Sequence, residues 1–469
     1  MAGSSTHSLF GVRDLGPAVP ARAAAVPERR ITSLDRIFAF GSFALLIFLN
    51  VALQGLKVGP LPIRGLLAAG LLAAVALIYS QATARALDRH MPVLVVAGAL
   101  ALLGTFVSLV GDVGTAVIAK ALIEVHVQVV VTLLVGTVLA ELCGSRAAVL
   151  AIVLAVALSA ALAVLQAVNL DAAWQAREWL ANVQHQPRDV FDVNERMRPP
   201  GLSYSPVQLS TQLCLAFAAF AAIRDQYLKS QPQPLSADPL VLVALAALVA
   251  VAALSGTRSP IMGGFLFAAL YLMRRQGSWL PLMLLIVAAL IYVAWPMISA
   301  AVEGARPRVL RTEDQSALGR VSLLSFGVLL FVNNPLGYGL GFEPSALWTQ
   351  YWHEIYNLPG AANVRAFDLH NYVLSMLNTY GIGLLLIVPL AARLLYRSRA
   401  VLMFFIPYIV HIMFHNSGPF WNDMIIWFVV AALSAMPVVR LSSAQAVPLM
   451  RARPQFRRPA VRTKRNSVR

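Results

Sequence analysis

The sequence predicts an all-α polytopic membrane protein with about twelve transmembrane helices. Of its 469 residues, 59% are hydrophobic and only 12% are charged, and the mean hydropathy is +0.71. The surface of a soluble globular protein needs far more charge than this. Apolar runs of about 20 residues recur along the chain, and this is the length that an α-helix needs to cross a bilayer.

Helices are predicted rather than strands, because the runs are long and because lipid offers backbone groups no partner outside their own segment. The predicted spans are 36–55, 61–80, 92–111, 115–140, 147–168, 203–223, 238–255, 259–273, 279–300, 369–391, 400–416 and 421–439. One polar insert, 301–368, is too long for a plain connection. Its apolar run, 321–331, is short for a span, so we expect it to pack on the outer face of the bundle.

Lysine and arginine fall in alternate connections between the predicted spans. The positive side includes Arg85, Arg89, Arg146, Arg224, Lys229, Arg274, Arg275, Arg393, Arg397 and Arg399. Because positive loops stay in the cytoplasm, both termini are predicted there, with 1–35 as a disordered arm, 36–440 as the membrane domain and 441–469 as a basic tail. This topology explains the formal net charge of +16 without nucleic acid, and the tail is suited to contact membrane lipid.

Several arginines fall on the opposite side, against this trend. They are Arg196 and Arg198 in the loop 169–202, Arg258 in the corner 255–260, and Arg306, Arg308, Arg311, Arg320 and Arg365 in the insert 301–368. Beyond Arg320, the sequence leaves open which arginines of the insert share a bound anion. A bound anion is the simplest reason, since a guanidinium group is always charged and can make two parallel hydrogen bonds to a phosphate group. For each arginine taken singly, the alternative is a salt bridge within a loop or a contact with a lipid headgroup.

His370 lies at the start of the tenth predicted span, just after Asp368, which we expect to be the helix N-cap. A helix N-terminus and nearby arginines both disfavour an imidazolium ion. His370 is therefore predicted to be neutral near pH 7 and able to act as a general base. The alternative is a histidine that only hydrogen-bonds its own loop.

Three glycines, Gly337, Gly339 and Gly341, alternate with Tyr338 and Leu340 in the insert. No predicted strand precedes them, which argues against a nucleotide-binding loop. Glycine at such a spacing favours a tight turn or a close approach of the backbone to a ligand.

These residues form an ordered set of motifs that resembles the O-antigen ligase and O-antigen polymerase superfamily. The motifs are Arg198-x-x-Gly201, Ser255-x-x-Arg258, Gly319-Arg320, Asn334-Pro335-x-Gly337-x-Gly339-x-Gly341, His370-Asn371 and Tyr380-Gly381. The resemblance covers about residues 196 to 385, and the earlier helices agree with the family only in number and hydropathy.

The resemblance implies a GT-C-like, lipid-donor glycosyltransferase in the inner membrane of a Gram-negative bacterium. The loops 169–202 and 301–368 would then be periplasmic, the second lying between helices 9 and 10. Such an enzyme takes a glycan from undecaprenyl pyrophosphate, and a ligase attaches it to a sugar hydroxyl of lipid A-core. We assign His370 as the general base, with Arg258, Arg198 and Arg320 as catalytic residues that stabilise pyrophosphate. The predicted substrate-binding residues are Arg196, Asn371, Gly337, Gly339, Gly341 and Tyr338.

The reaction is predicted to invert the anomeric centre and to need no metal or other cofactor. No residue stands out as a covalent nucleophile, and the outer carboxylates Asp189, Asp192, Glu195, Glu313 and Asp314 form no Asp-x-Asp pair. A metal holding the pyrophosphate is the runner-up, because one or two carboxylates can suffice for Mg²⁺ when phosphates supply other ligands. His411 and His415 have a spacing that also suits a metal, but we expect them to be polar packing groups that line the cavity.

An O-antigen ligase is the leading hypothesis. A polymerase, which uses the same donor and extends another lipid-linked repeat, comes second. A protein-directed oligosaccharyltransferase is third, because the chain ends soon after its last predicted span. The rival class is a transporter or flippase, which predicts paired broken helices near the bilayer midplane. Here the unusual residues gather at one face instead.

Overall fold

The computed structural model describes residues 31–59, 61–184, 198–229, 237–276, 315–365, 367–397, 399–421 and 423–436. The helices lie within one unit, Met1–Ala435. Several predicted features lie outside the described residues, namely most of the N-terminal arm, Arg196, the ninth span 279–300, the first part of the insert 301–368, and the basic tail 441–469.

The described chain is almost entirely helical. The helices are α1 (Ser33–Ala52), α2 (Ile63–Ile78), α3 (Ser80–Val110), α4 (Thr115–Cys143), α5 (Ser145–Ala167), α6 (Asp171–Val183), α7 (Pro206–Lys229), α8 (Pro239–Leu254), α9 (Ser259–Gln276), α10 (Gln315–Asn333), α11 (Trp348–Ile355), α12 (Tyr372–Tyr380), α13 (Leu384–Arg397), α14 (Arg399–Leu402), α15 (Ile406–Ile412) and α16 (Ile425–Ser434). A short antiparallel pair, β1 (Lys57–Val58) and β2 (Leu61–Pro62), joins α1 to α2.

Six helical segments of the described residues are long and apolar enough to cross a membrane. They are Ser33–Ala52, Ser80–Val110, Thr115–Cys143, Ser145–Ala167, Pro206–Lys229 and Tyr372–Arg393. Six shorter apolar helices accompany them. The prediction of an all-α membrane protein is therefore confirmed, while the number of helices that cross the bilayer and the side on which each loop lies stay predictions.

Helix α3 begins at Ser80, twelve residues before the predicted span 92–111. The first part of the helix is polar, so hydropathy alone does not include it. Its Arg89 forms a salt bridge with Glu141 at the end of α4, with Nη1 2.6 Å from Oε1. The ion pair joins the polar ends of the two helices.

The largest apolar core is shared by α1, α4, α5, α7 and α16. Phe43, Leu133, Ile152, Cys214 and Phe428 are all fully buried in it. The rings of Phe43 and Phe428 meet edge to face, with centroids 5.5 Å apart. This core brings together helices from both ends of the sequence.

The described part of the insert 301–368 has an apolar cluster of its own. Leu323, Phe326 and Leu330 of α10 pack there with Ile355 and Leu369. The predicted run 321–331 is thus part of α10, packed by its apolar side chains against the rest of the insert. Leu369 is 1% exposed in this cluster, so the cluster fixes the chain immediately before His370.

The predicted tenth span is interrupted. Helix α12 ends at Tyr380, a 3-10 turn follows at Gly381–Gly383, and α13 continues the chain. Gly381 has φ +64°, and a Cβ atom there would lie 2.1 Å from the carbonyl oxygen of Leu336. Only glycine fits this turn.

Candidate active site

The corner between α8 and α9 carries Arg258 and is held by buried hydroxyl groups. Thr257 is 3% exposed, its backbone N–H donates to Ala252 O at 2.9 Å, and its hydroxyl lies 3.0 Å from that of Ser255. It also hydrogen-bonds the hydroxyl of Ser210 in α7. Because these groups satisfy one another inside the bundle, the backbone on which Arg258 stands is well defined.

Arg198 binds the same corner from another segment. Its Nε donates to Ser255 O at 3.3 Å, and its Nη2 donates to Gly256 O at 3.5 Å. Ser255 is the C-cap of α8, where exposed carbonyl groups favour a cation. Two arginines that are sixty residues apart in sequence are therefore brought to one corner.

The chain after Arg198 is anchored on α5. The backbone N–H of Gly201 donates to Gln166 Oε1 at 2.9 Å, and that of Leu202 donates to Ser159 Oγ at 3.0 Å. Gly201 has φ +62°, and a Cβ atom there would lie 2.1 Å from Ser159 O. The glycine in the Arg198-x-x-Gly201 motif is thus required by the approach of two backbones.

His370 lies in the loop before α12, and its hydrogen bond decides which nitrogen can accept a proton. Its Nδ1 is 2.8 Å from the carbonyl oxygen of Asp368. A carbonyl only accepts hydrogen bonds, so Nδ1 carries the proton in the neutral ring and Nε2 keeps its lone pair. This is the tautomer that a general base needs.

Burial is the largest cause that lowers the pKa of His370 below its ordinary value. The positive charges of Arg320 and Arg198 lower it further, while the hydrogen bond to Asp368 and the charge of Asp368 act in the opposite direction. Arg320 stands near the start of α10. The structure thus places Arg320 and Arg198 within electrostatic reach of His370, and Arg198 is bound to the corner that carries Arg258.

The predicted N-cap of the His370 helix is wrong. Asn371, not Asp368, caps α12, because its Oδ1 accepts from Leu374 N at 3.0 Å. The carboxylate of Asp368 instead accepts from Asn416 Nδ2 at 3.2 Å. Asp and Asn are both common N-cap residues, and the backbone path before the helix makes Asn371 the cap.

Asn371 also ties its loop to a second one. Its Nδ2 donates to Met413 O at 3.0 Å. Its side chain, predicted to bind substrate, is therefore engaged with protein at both the oxygen and the nitrogen. Any contribution of Asn371 to substrate binding would then act through the placement of His370.

The glycine-rich loop packs against α12 and α3. The backbone N–H of Tyr338 donates to Asn378 O at 2.7 Å, and that of Gly339 donates to Thr379 O at 3.0 Å. The three glycines have φ of +92°, +83° and +79°. A Cβ atom would meet Gly381 N at Gly337, Ser108 at Gly339 and Val117 at Gly341. Contact with the protein itself accounts for all three, and their role in substrate binding stays a prediction.

Tyr338 is held inside the insert. Its hydroxyl donates to Leu330 O at 3.1 Å, and its ring stacks on Phe342 with centroids 4.8 Å apart. Burial and the neighbouring Tyr351 raise the pKa of Tyr338, so it stays protonated at neutral pH. It is suited to hold the loop rather than to exchange protons.

Arg365, which the sequence left open as a further pyrophosphate ligand, lies against two tryptophans. Its guanidinium carbon is 4.2 Å from the ring centroid of Trp348 and 4.4 Å from that of Trp352. These are cation–π contacts. Arg196, Arg306, Arg308 and Arg311 lie outside the described residues.

The hydrogen-bond network of His411 was not predicted. Its Nε2 is 2.9 Å from Thr211 Oγ1 in α7, and its Nδ1 is 2.8 Å from Ser259 Oγ, the first residue of α9. The ring of His415 lies next to it, with centroids 5.5 Å apart. The four-residue spacing is visible in sequence, but partners as distant as Thr211 are not. Within the described part of the chain, no group of three metal-binding side chains comes together.

The protein was compared with known proteins. Residues 242–388 match a family model, Wzy_C, described as O-Antigen ligase. No match was found among curated proteins. The matched segment contains Arg258, Arg320 and His370, and Arg198 precedes it. This segment, together with the long apolar helices of the described residues, supports membership of the O-antigen ligase/polymerase family of membrane proteins.

Proposed function

We propose that the protein is an O-antigen ligase. It transfers a glycan from undecaprenyl pyrophosphate to a sugar hydroxyl of lipid A-core, at the periplasmic face of the inner membrane. The family match supports the class of reaction. The observation that carries the proposal is the tautomer of His370, whose Nδ1 donates to Asp368 O at 2.8 Å, within electrostatic reach of Arg320 and Arg198.

The first task of the site is to activate the acceptor. The proton of the sugar hydroxyl passes to Nε2 of His370 as the oxygen attacks. Because the pKa of His370 is lowered, the ring is unprotonated at neutral pH and ready to accept. Leu369, buried in the insert cluster, and Asn371, hydrogen-bonded at both ends, hold the ring in place.

The second task is to stabilise the leaving group. The acceptor oxygen forms a bond to the anomeric carbon while the bond from that carbon to the phosphate oxygen breaks. Both electrons of the broken bond remain on pyrophosphate. The fixed positive charges of Arg258, Arg198 and Arg320 stabilise this developing charge. Attack opposite the leaving group inverts the anomeric centre, and no covalent enzyme intermediate is needed.

The same arginines help to reset the base. Once His370 has taken the proton, its imidazolium lies near the positive charges of Arg320 and Arg198. That repulsion favours release of the proton to water or to the departing pyrophosphate. In this scheme arginine takes the place that a metal ion holds in other pyrophosphate chemistry.

A polymerase would use the same donor and the same residues, so the acceptor decides between the two. Purified protein is reconstituted with a lipid-pyrophosphate glycan and offered lipid A-core or a second lipid-linked repeat. We expect extension of lipid A-core. Extension of the lipid-linked repeat alone would make the protein a polymerase, and movement of the donor across a bilayer without any transfer would favour a flippase.

A further inference from the structure

His415 is an imidazole that the reaction described above does not use, and it lies beside His370. Two hydrogen bonds join their loops: Asn371 Nδ2 to Met413 O at 3.0 Å, and Asn416 Nδ2 to Asp368 Oδ2 at 3.2 Å. Each histidine lies between the two bonded residues of its own loop. The loops 368–371 and 413–416 therefore run side by side.

One nitrogen of His415 is buried without a partner. The residue is 9% exposed, and its Nε2 has no hydrogen-bond partner among the residues that the structure describes. Buried polar atoms in native proteins are nearly always hydrogen-bonded, so an exception of this kind calls for an explanation.

The neighbour His411 does not satisfy that nitrogen, because both of its own ring nitrogens are engaged by Thr211 and Ser259. Ser259 directly follows Arg258. Contacts therefore run from the arginine corner through His411 to His415, and from the loop of His415 to that of His370. His415 is therefore linked by contacts both to the corner that carries Arg258 and to the loop of the proposed base.

The charge around His415 favours a neutral ring. Burial lowers the pKa of His415 well below its ordinary value, and electrostatic coupling to His411, His370 and Arg320 acts in the same direction. A neutral ring still has one N–H group to donate. A donor of this kind, within electrostatic reach of Arg320, suits a phosphoryl oxygen, because it stabilises negative charge without transferring a proton.

We propose that His415 binds the pyrophosphate of the lipid donor, with its Nε2–H donating a hydrogen bond to a phosphoryl oxygen. This inference rests on the proposed function for the identity of the ligand. The two histidines then have different roles: His370 takes a proton from the acceptor hydroxyl, and His415 binds the lipid-linked donor substrate.

Two substitutions distinguish a hydrogen bond from His415 to pyrophosphate from a purely structural role of its side chain. His415→Met removes the donor at similar bulk, whereas His415→Gln keeps an N–H group near the position of Nε2. We expect the Met variant to lose about 10- to 100-fold in kcat/KM for the donor, with an unchanged KM for the acceptor. The Gln variant should recover most of that loss. His353→Ala, at an exposed position of α11, is the control and should match wild type.

Thermal melting gives a readout that needs no turnover. His415→Met should melt at or above the wild-type temperature, because it removes an unpartnered buried polar atom. Farnesyl pyrophosphate is the probe: it should raise the melting temperature of wild type and of His353→Ala, and raise that of His415→Met much less.

The outcomes distinguish the two proposals. Normal turnover and a normal response to farnesyl pyrophosphate in His415→Met would overturn the inference alone. Equal losses in the Met and Gln variants, with lower melting temperatures in both, would make His415 a packing residue. The wild type could transfer glycan to neither acceptor while farnesyl pyrophosphate raises its melting temperature and not that of His415→Met. This result would overturn the proposed ligase activity and keep the pyrophosphate site.

Discussion

Gly201→Ala should damage the proposed site without touching a catalytic side chain. Gly201 has φ +62°, and an L-residue in this left-handed region is strained by about 1–2 kcal/mol. The added Cβ would also lie 2.1 Å from Ser159 O, where real Cβ contacts do not fall below 3.0 Å. The segment must therefore move by roughly 1 Å, because α5 is packed and cannot yield.

That movement reaches Arg198. The hydrogen bonds from Gly201 N to Gln166 and from Leu202 N to Ser159 would break, each worth about 0.5–1.5 kcal/mol. With the strain, the loss in stability comes to about 3 kcal/mol. The bonds of Arg198 to the corner are already 3.3 and 3.5 Å long, so the same shift would break them. A misplacement of about 1 Å can cost about 100-fold in rate.

Gly59→Ala is the matched control. Gly59 has φ +59°, yet nothing lies within 4 Å of a Cβ atom there. It should suffer the strain of about 1–2 kcal/mol but transfer glycan at the wild-type rate. Thermal melting in detergent and transfer rates of the folded protein measure both effects. If Gly201→Ala melts and turns over like Gly59→Ala, the argument from backbone contact is wrong.

The remaining predictions concern the chemistry. His370→Ala should leave the protein in the membrane and lower transfer by about 100-fold or more; full activity would remove the assignment of the base. Since the pKa of His370 is lowered and only the neutral ring accepts a proton, the wild-type rate should stay level from pH 8 to 7. It should fall only below the ordinary histidine value of about 6.5, and a fall beginning above pH 7 would contradict this. Arg258→Lys should lose most activity, because an ammonium group cannot make two parallel hydrogen bonds to a phosphate group. A near-normal rate would show that Arg258 acts only through its positive charge. Arg365→Ala should transfer almost normally, since its guanidinium lies over Trp348 and Trp352, and a collapse in rate would place it among the pyrophosphate ligands. Transfer should continue in excess EDTA, and loss of activity that Mg²⁺ restores would refute the metal-free mechanism.

Hydropathy predicted the helices because the cost of placing a residue in lipid is largely a local property of the chain. Hydropathy failed where contacts within the protein, rather than burial in lipid, determine where a helix begins or ends. The polar start of α3 carries Arg85 and Arg89, which pair with Glu141 of α4. The break at Gly381 follows from the approach of Leu336 O, which no hydropathy window contains.

Within the candidate site, sequence determined which residues are chemically suited to the task. Arginines on the predicted outer side, against the charge trend, and a histidine at a predicted helix start make Arg198, Arg258, Arg320 and His370 the candidates from sequence alone. These arguments depend on charge and residue type, which are properties of the sequence. The N-cap was assigned wrongly, because Asp368 and Asn371 differ only in where the backbone turns into the helix.

Tertiary structure alone decided how the groups are held. The sequence shows that Gly201, Gly337 and Gly381 are glycines, but only the folded chain shows the backbone atoms that each of them faces. The tautomer of His370 and the unpartnered nitrogen of His415 likewise depend on neighbours. His411 and Thr211 are 200 positions apart and meet at 2.9 Å. Contacts of this length in sequence are set by the packing of helices, and no local pattern of residues encodes them.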